Sequence, residues 1–241
     1  MLDPLKKYFQ RKSQPDDLNF RHRVLNTNIK NEPELGQDSI FFGCGCFWGA
    51  EKCFWKLPGI ITTSVGYAGG NTKDPNYYDV CSGVTGHAEV VNVIWNTELI
   101  DISDLLKMFW ECHDPTQKNR QGNDVGTQYR SSIFYKDIRH KTIIESSKKA
   151  YQKELNLNNH SLIETDIKQI NDYFFAEEYH QQYLAIKGSR PYCSASPTQV
   201  KLGKFKGSNF KLNKEIWDNF DWSIDKCVLR SNNEPLKIVN Q

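Results

Sequence analysis

Phe41-Phe42-Gly43-Cys44-Gly45-Cys46-Phe47-Trp48-Gly49-Ala50-Glu51 is the stretch on which the reading of this chain turns. The phenylalanines close an apolar run with the look of a buried strand. From Phe47 onward the apolar residues recur at helical spacing through Ala50, Phe54 and Leu57, until Pro58-Gly59 ends the pattern. Cys46 therefore stands where a strand passes into a helix. A helix start offers unpaired backbone N–H groups and the positive end of the peptide dipoles, so a thiol there is expected to lose its proton more easily than a free cysteine. Cysteines beside large aromatics are more often core filling than chemistry. Gly45 and Gly49 on either side tip the reading toward reactivity, because they let backbone come close to the sulfur. Phe47 and Trp48 would then wall a small apolar pocket.

Working outward, Ile60 to Tyr67 is β-branched and ends in the turn residues Ala68-Gly69-Gly70-Asn71, with Tyr77 and Tyr78 in the loop that follows. The next strand starts near Gly86-His87-Ala88-Glu89. Alternation puts Glu89 on the face of Val91, Val93 and Trp95, where loss of hydration would raise its pKa and keep it a proton donor near neutrality; a half-solvated acid at the strand mouth is the alternative. Ser103 reads as the cap of an amphipathic helix through Leu105, Leu106, Phe109 and Trp110. A polar, glycine-punctuated loop from Asp114 to Thr127 carries Asp124 and feeds a strand whose alternation groups Tyr129 with Ile133 and Tyr135. A helix is expected from Ile138 to Leu155, a short strand from Leu162 to Ile167, and another helix from Ala176 to Ala185 with His180 on a solvated face. Beyond Lys187 the composition suggests an extended tail held by Trp217 and Trp222.

The 241 residues can bury one good core, and nothing demands two domains. We read 1–34 as an N-terminal arm, 35–193 as the catalytic domain and 194–241 as an extension packed upon it. A net charge of +2 gives no case for a nucleic-acid or membrane surface, and no apolar run approaches the roughly 18 residues of a membrane span. Seven cysteines at irregular spacing in a chain of this size imply a reducing compartment rather than a disulfide framework. A soluble, monomeric cytoplasmic protein is expected. Asp3, Asp16 and Asp17 argue against a mitochondrial leader, although an organellar address stays open. Structural zinc is not expected, since no paired Cys or His spacing occurs.

Taken together, Gly45-Cys46-Phe47-Trp48-Gly49 with Glu51, Gly66-Tyr67-Ala68-Gly69-Gly70, Tyr77, Gly86-His87-Ala88-Glu89, Gln121 to Arg130 and His180-Gln181-Gln182-Tyr183 closely resemble peptide methionine sulfoxide reductase A, in order, over roughly Ser39 to Cys193. The resemblance implies an α/β roll: two layers with a mixed sheet, plus the extended C-terminal tail. It implies thiol-dependent reduction of the S epimer of methionine sulfoxide, free or in proteins. Cys46 would be the nucleophile, Phe47 and Trp48 the methyl pocket, Glu89 the protonated acid, Tyr77 and Tyr129 the donors to the sulfoxide oxygen, and Asp124 an organiser of the site through water. The sulfenic acid left on Cys46 would condense with a second thiol, and thioredoxin would reduce the disulfide, with no metal or bound organic cofactor.

The tail departs from the family pattern. Cys193 stands where many members carry the recycling cysteine, but Ser194-Ala195-Ser196-Pro197 replaces the glycine-rich continuation, so Cys227 competes with it as the resolving thiol. Cys44 is expected to point away from the nucleophile, and Cys53, Cys81 and Cys112 to be packing residues. Two other classes stand beside the reductase: a cysteine hydrolase with His87 or His180 as base, and a thiol sensor that reacts once with peroxide without turnover.

Overall fold

The long alternating runs make the sheet. Strand β1 (Gln37–Gly43) lies beside β3 (Ala88–Asn96), which pairs with β2 (Ile60–Ala68), all antiparallel. The computed structural model describes residues 20–224 and 227–237, and of Cys227 only its backbone. Most of the N-terminal arm thus lies outside the described residues. β6 (Ser132–Tyr135) flanks β1, β7 (Asp166–Gln169) runs parallel to β6, and β8 (Tyr173–Phe175) closes the other edge, giving the order β7-β6-β1-β3-β2-β8. One parallel pair among antiparallel ones makes the sheet mixed, as expected. The strand expected at Leu162 to Ile167 begins only at Asp166, where pairing with Ser132 starts.

Three helices cover one face: α1 (Phe47–Trp55), α3 (Ile102–Cys112) and α4 (His140–Leu157). Between β2 and β3 lies a single helical turn and a half, α2 (Tyr77–Cys81). The main core joins Phe42, Phe54 and Phe109, with ring centroids 4.8 and 5.2 Å from Phe42, to Trp95 and Trp110. Burying such side chains is worth about 25 cal/mol per Å² of apolar surface, which makes this helix-on-sheet layer the main source of stability. The cap of α3 is Asp101, not Ser103: Asp101 accepts from Ser103 N–H, and Asp104 reaches back to Asp101 N–H. The reciprocal pair satisfies two donors where Ser103 would satisfy one.

After Lys187 the chain runs as a strap. Val200, Leu202, Leu212, Phe220 and Trp222 are buried in the main core, and short helices α5 (Lys214–Trp217) and α6 (Cys227–Arg230) punctuate it. Its end is stapled to α1. Lys52 Nζ donates to Ser231 O, Lys56 Nζ to Asn232 O and Glu234 O, and Trp55 Nε1 to Asn233 O. Among the described residues, no helix is long and apolar enough to cross a membrane.

Candidate active site

The end of β1 places the thiol. Gly45, at φ +87°, turns the chain from strand to helix, and a Cβ there would lie 2.6 Å from Gln121 Cβ. Cys46 follows as the cap of α1. Register does the rest: Phe42 faces Val91 across β1 and β3, so Glu89, two residues earlier, is level with the end of β1. Glu89 Oε2 accepts the N–H of Phe47 at 3.0 Å. The acid thus sits on the first turn of the helix that the thiol caps.

A cavity of about 230 Å³ is lined by Cys46, Phe47, Trp48, Tyr77, Glu89, Asp124 and Tyr129, together with Tyr183, Arg190 and Tyr192. Every residue expected in the site except the resolving thiols lines it. Tyr77 enters from the start of α2, whose cap Asn76 accepts from Tyr78 N–H and Asp79 N–H. Tyr129 comes from a 3-10 turn, Thr127–Tyr129, and not from the expected strand, which begins at Ser132. The loop before it folds into a small hairpin, β4 (Arg120–Gln121) with β5 (Asp124–Val125), and this presents Asp124. Asp124 Oδ1 accepts the phenol of Tyr192, while Oδ2 is buried without a hydrogen-bond partner among the described residues.

The electrostatics are those of a dry, proton-retaining site. Burial raises Glu89 to about 8, helped by the carboxylates of Asp124 and Glu177 and opposed by the N–H of Phe47. Burial also pushes the Cys46 thiol well up, Glu89 and Asp124 add to this, and the N–H of Trp48 pulls the other way. The expected ease of ionisation is overturned: the helix start acts on the sulfur, but loss of hydration outweighs it. The phenols of Tyr77 and Tyr129 are raised as well, by burial first, so both stay donors.

The segment expected to be a helix from Ala176 to Ala185 is instead two 3-10 turns, Glu178–His180 and Tyr183–Ala185, following β8. His180 is not on a solvated face; it is 1 % exposed. Its Nδ1 accepts the indole N–H of Trp48 at 3.1 Å, and Tyr183 stacks on the same indole with centroids 3.8 Å apart. Gln181 bridges the N–H and C=O of Val65, and Gln182 donates from N and Nε2 to Glu51. The run His180-Gln181-Gln182-Tyr183 therefore holds Trp48. Tyr183 enters the sequence reading only as part of the His180-Gln181-Gln182-Tyr183 run, with no role in the site, and Arg190 and Tyr192 have none there either; the aromatic residues of a proline-bearing tail are the signal that could point to them.

Cys193 is buried, and its sulfur lies over Gly49, one helical turn from Cys46: a Cβ on Gly49 would come within 2.5 Å of it. Behind it opens a second cavity of about 370 Å³ lined by Arg190, Tyr192, Cys193, Ser194 and, from α6, Leu229. The side chain of Cys227 lies outside the described residues. Cys44 is buried in the main core, with Cys53 and Cys112. Its sulfur, that of Cys112 and a nitrogen of His113 lie within 4.8 Å of one another. Both nitrogens of His113 are engaged, however, with Phe109 O and Ser131 Oγ at 2.7 Å each, so the imidazole has no lone pair left for a metal. His87 is equally committed, accepting from Gly70 N–H and donating to Thr72 O, which removes it as a base for Cys46.

Comparison with known proteins agrees with this geometry. The family model described as peptide methionine sulfoxide reductase matches residues 38–213. A peptide methionine sulfoxide reductase MsrA of Vibrio cholerae is 51 % identical over 179 residues, covering 74 % of this chain and 84 % of its own length; one from Salinispora arenicola is 52 % identical over 178, covering 73 % and 81 %. Among solved structures, methionine sulfoxide reductase A of Corynebacterium diphtheriae superposes with a TM-score of 0.65 at 38 % identity over 80 % of this chain and 94 % of its own. Mxr1 of Saccharomyces cerevisiae in reduced form gives 0.61 at 34 % identity, over 72 % and 96 %.

Proposed function

Since this chain belongs to the peptide methionine sulfoxide reductase MsrA family and reduces the S epimer of methionine sulfoxide to methionine, we propose that the cavity at Cys46 is where it does so. The observation that carries this reading is the convergence of one thiol, one proton-holding carboxyl, two phenols and an aromatic wall on a single cavity. Cys46 is the nucleophile. Phe47 and Trp48 receive the methyl group, and Tyr77 and Tyr129 donate to the sulfoxide oxygen.

Both Cys46 and Glu89 carry protons at rest, so the first step needs no outside acid or base. As the Cys46 sulfur attacks the sulfoxide sulfur, Glu89 passes its proton to the oxygen and its carboxylate takes up the thiol proton; the S–O bond then breaks, the oxygen returns as hydroxide to the Cys46 sulfur, and the transient S–S bond breaks to release the thioether. The thiol and the sulfoxide become a sulfenic acid and a thioether. An uncharged donor set suits an oxygen that is a poor leaving group until protonated, and removing such an acid from an enzyme typically costs 10²–10⁴ in rate. Asp124 organises the site through Tyr192 and through water.

Cys193 is the first resolving thiol in this reading, because its sulfur already lies one turn along α1 from Cys46. It condenses with the sulfenic acid and releases water. The resulting disulfide is reduced at the cavity behind Cys193, either by thioredoxin directly or after exchange with Cys227. Residues 35–193 form the catalytic unit here, and 194–241 an extension that carries the second thiol. No bound metal or organic cofactor takes part, and the substrates are oxidised proteins and the free amino acid.

The test is a single turnover without reductant. Cys193→Ser should release one methionine per enzyme from the S epimer alone, with a dimedone adduct on Cys46, and wild type should release one, or two where exchange with Cys227 frees the Cys46 thiol again. Cys46→Ser should release none. Methionine release by Cys46→Ser, or an adduct on another cysteine, would end the assignment; ester hydrolysis without reductant would favour the hydrolase.

A further inference from the structure

We propose that His180 is a positioning residue for this reaction: by accepting the indole N–H of Trp48 it fixes the plane of the methyl-binding wall, and so sets the preference for a methyl group over larger substituents on the sulfoxide sulfur. The inference rests on the reading of Trp48 as that wall. His180 does not line the cavity and touches no reacting atom; it acts through the indole.

Two restraints of different kind hold the ring. Tyr183 covers one face at 3.8 Å with planes 15° apart, which still allows the indole to slide and turn in its own plane. The bond from Nε1 to His180 Nδ1 at 3.1 Å removes that freedom, because it is directional. Tyr192 meets the indole edge-on at 6.1 Å and 87°.

The surroundings of His180 are built for an acceptor at that nitrogen. With Nδ1 accepting, the proton resides on Nε2, which is buried without a hydrogen bond among the described residues and has Glu177 Oε2 3.9 Å away. A side chain that merely filled space would not bring an unsatisfied polar atom into the interior, where each one is costly. Tyr77, Tyr179 and Phe47 pack around the imidazole at 4.6, 4.3 and 5.1 Å. Burial lowers His180 to about 3, so the lone pair on Nδ1 is retained throughout the working pH range. Backbone cost is accepted too: Gln182 takes a left-handed conformation at φ 48°, and this lets His180 and Tyr183, on successive turns, reach the same indole.

The experiment compares kcat/KM for the S epimers of methionine sulfoxide and ethionine sulfoxide, which carries ethyl in place of methyl. One methylene in an apolar pocket is typically worth about 10–200-fold in discrimination, so the wild-type ratio has room to fall. His180→Leu should lower the methyl-to-ethyl ratio at least about fivefold, a modest part of that range. His180→Asn, whose amide oxygen stands near the Nδ1 position, should keep it within about twofold, whereas His180→Gln should not. In a Trp48→Phe background, which has no N–H to hold, His180→Leu should change nothing further.

An unchanged ratio in a folded His180→Leu protein, or an equal loss with and without the Trp48 N–H, would overturn the proposal. Should His180→Leu fail to fold, the Asn and Gln variants decide, and equal ratios for the two would overturn it. A ratio that does not respond to Trp48→Ala would remove the wall reading itself, and this outcome is recognised without any change at His180.

Discussion

Glu89 Oε2 takes the backbone N–H of Phe47 at 3.0 Å, so the acid is bound to the helix turn that Cys46 caps. A carboxyl accepting a peptide N–H would ordinarily ionise more readily. Here burial wins and holds it at about 8, with Asp124 and Glu177 adding to the effect. Glu89→Gln keeps an acceptor for Phe47 and a donor for the sulfoxide oxygen but has no proton to give. We expect the single-turnover rate to fall about 100-fold or more, the usual scale for a lost general acid, with KM within a few-fold of wild type. In wild type the rate should drop as pH rises through about 8, where the carboxyl loses its proton. Rapid-quench methionine release from pH 6 to 10 reads both; a Gln variant that keeps the alkaline drop would place the titrating acid elsewhere.

The second buried acid makes a stability prediction. Glu51 accepts from Thr63 Oγ1, Gln182 N and Gln182 Nε2, and Thr63 in turn receives His22 Nε2 from the N-terminal segment. Burial raises Glu51 to about 7 against 4.5 for the free side chain. The folded state therefore binds this proton more tightly than the unfolded state, and the stability so contributed is full below pH 4.5 and lost as pH rises through about 7. At about 1.4 kcal/mol per pKa unit the effect is on the order of 3 kcal/mol. Glu51→Gln should flatten the decline in urea midpoint between pH 5 and 8. It should also cost about 1–3 kcal/mol at pH 5, because its NH₂ meets the Gln182 N–H where an oxygen accepted it. A pH slope equal to that of wild type would show that other groups govern it.

How much of this was open to a reader of the sequence depended on whether local and tertiary forces agreed. Cys46 and Glu89 stand out because glycines, helical spacing and strict alternation act within a few residues of each, and the register of β1 on β3 then has one way to bring them level. The alternation of Tyr129 with Ile133 predicts that Tyr129 belongs to the strand, but Gly126 at φ 148° leads into a 3-10 turn that delays the start of the strand to Ser132. The segment around His180 has helical composition, and no local signal opposes a helix. What overrides it is pairing at a distance: Gln181 takes both backbone groups of Val65, 116 residues away, and Gln182 takes Glu51. The proton affinity of Cys46 escapes the sequence for the same reason, since a helix dipole is visible there and burial is not.

Tyr192 offers a test of how the tail is held. Its phenol donates to Asp124 Oδ1, and the next residue is Cys193. Tyr192→Phe removes that bond and leaves both Asp124 oxygens without a hydrogen-bond partner among the described residues, at a cost of about 1–3 kcal/mol, the range for a buried acceptor left unsatisfied. The larger effect should be kinetic. Release of the first methionine should stay within about threefold of wild type, consistent with loss of one hydrogen bond away from the reacting sulfur, while closure of the Cys46–Cys193 disulfide slows more than this. Quenching single turnovers with an alkylating agent and counting free thiols against time separates the steps; equal slowing of both would show that Tyr192 acts on the first.

Gly49 gives the sharpest probe of the resolving thiol. Within a helix, alanine is favoured over glycine by about 1 kcal/mol, so on local grounds Gly49→Ala should stabilise α1. The added Cβ would nevertheless lie 2.5 Å from Cys193 Sγ, closer than real Cβ contacts come, and 3.1 Å from Cys193 Cβ, so α1 and the segment carrying Cys193 must move apart. The variant should therefore release its first methionine at nearly the wild-type rate and then stall, with thioredoxin-driven turnover down about tenfold or more, since disulfide formation depends on close sulfur approach. Dithiothreitol, which can reach the sulfenic acid directly, should restore much of the loss. Full turnover with thioredoxin, together with an unchanged Cys46–Cys193 disulfide by mass mapping, would mean that the strap accommodates the methyl group without losing its reach, and that the contact at Gly49 does not govern recycling.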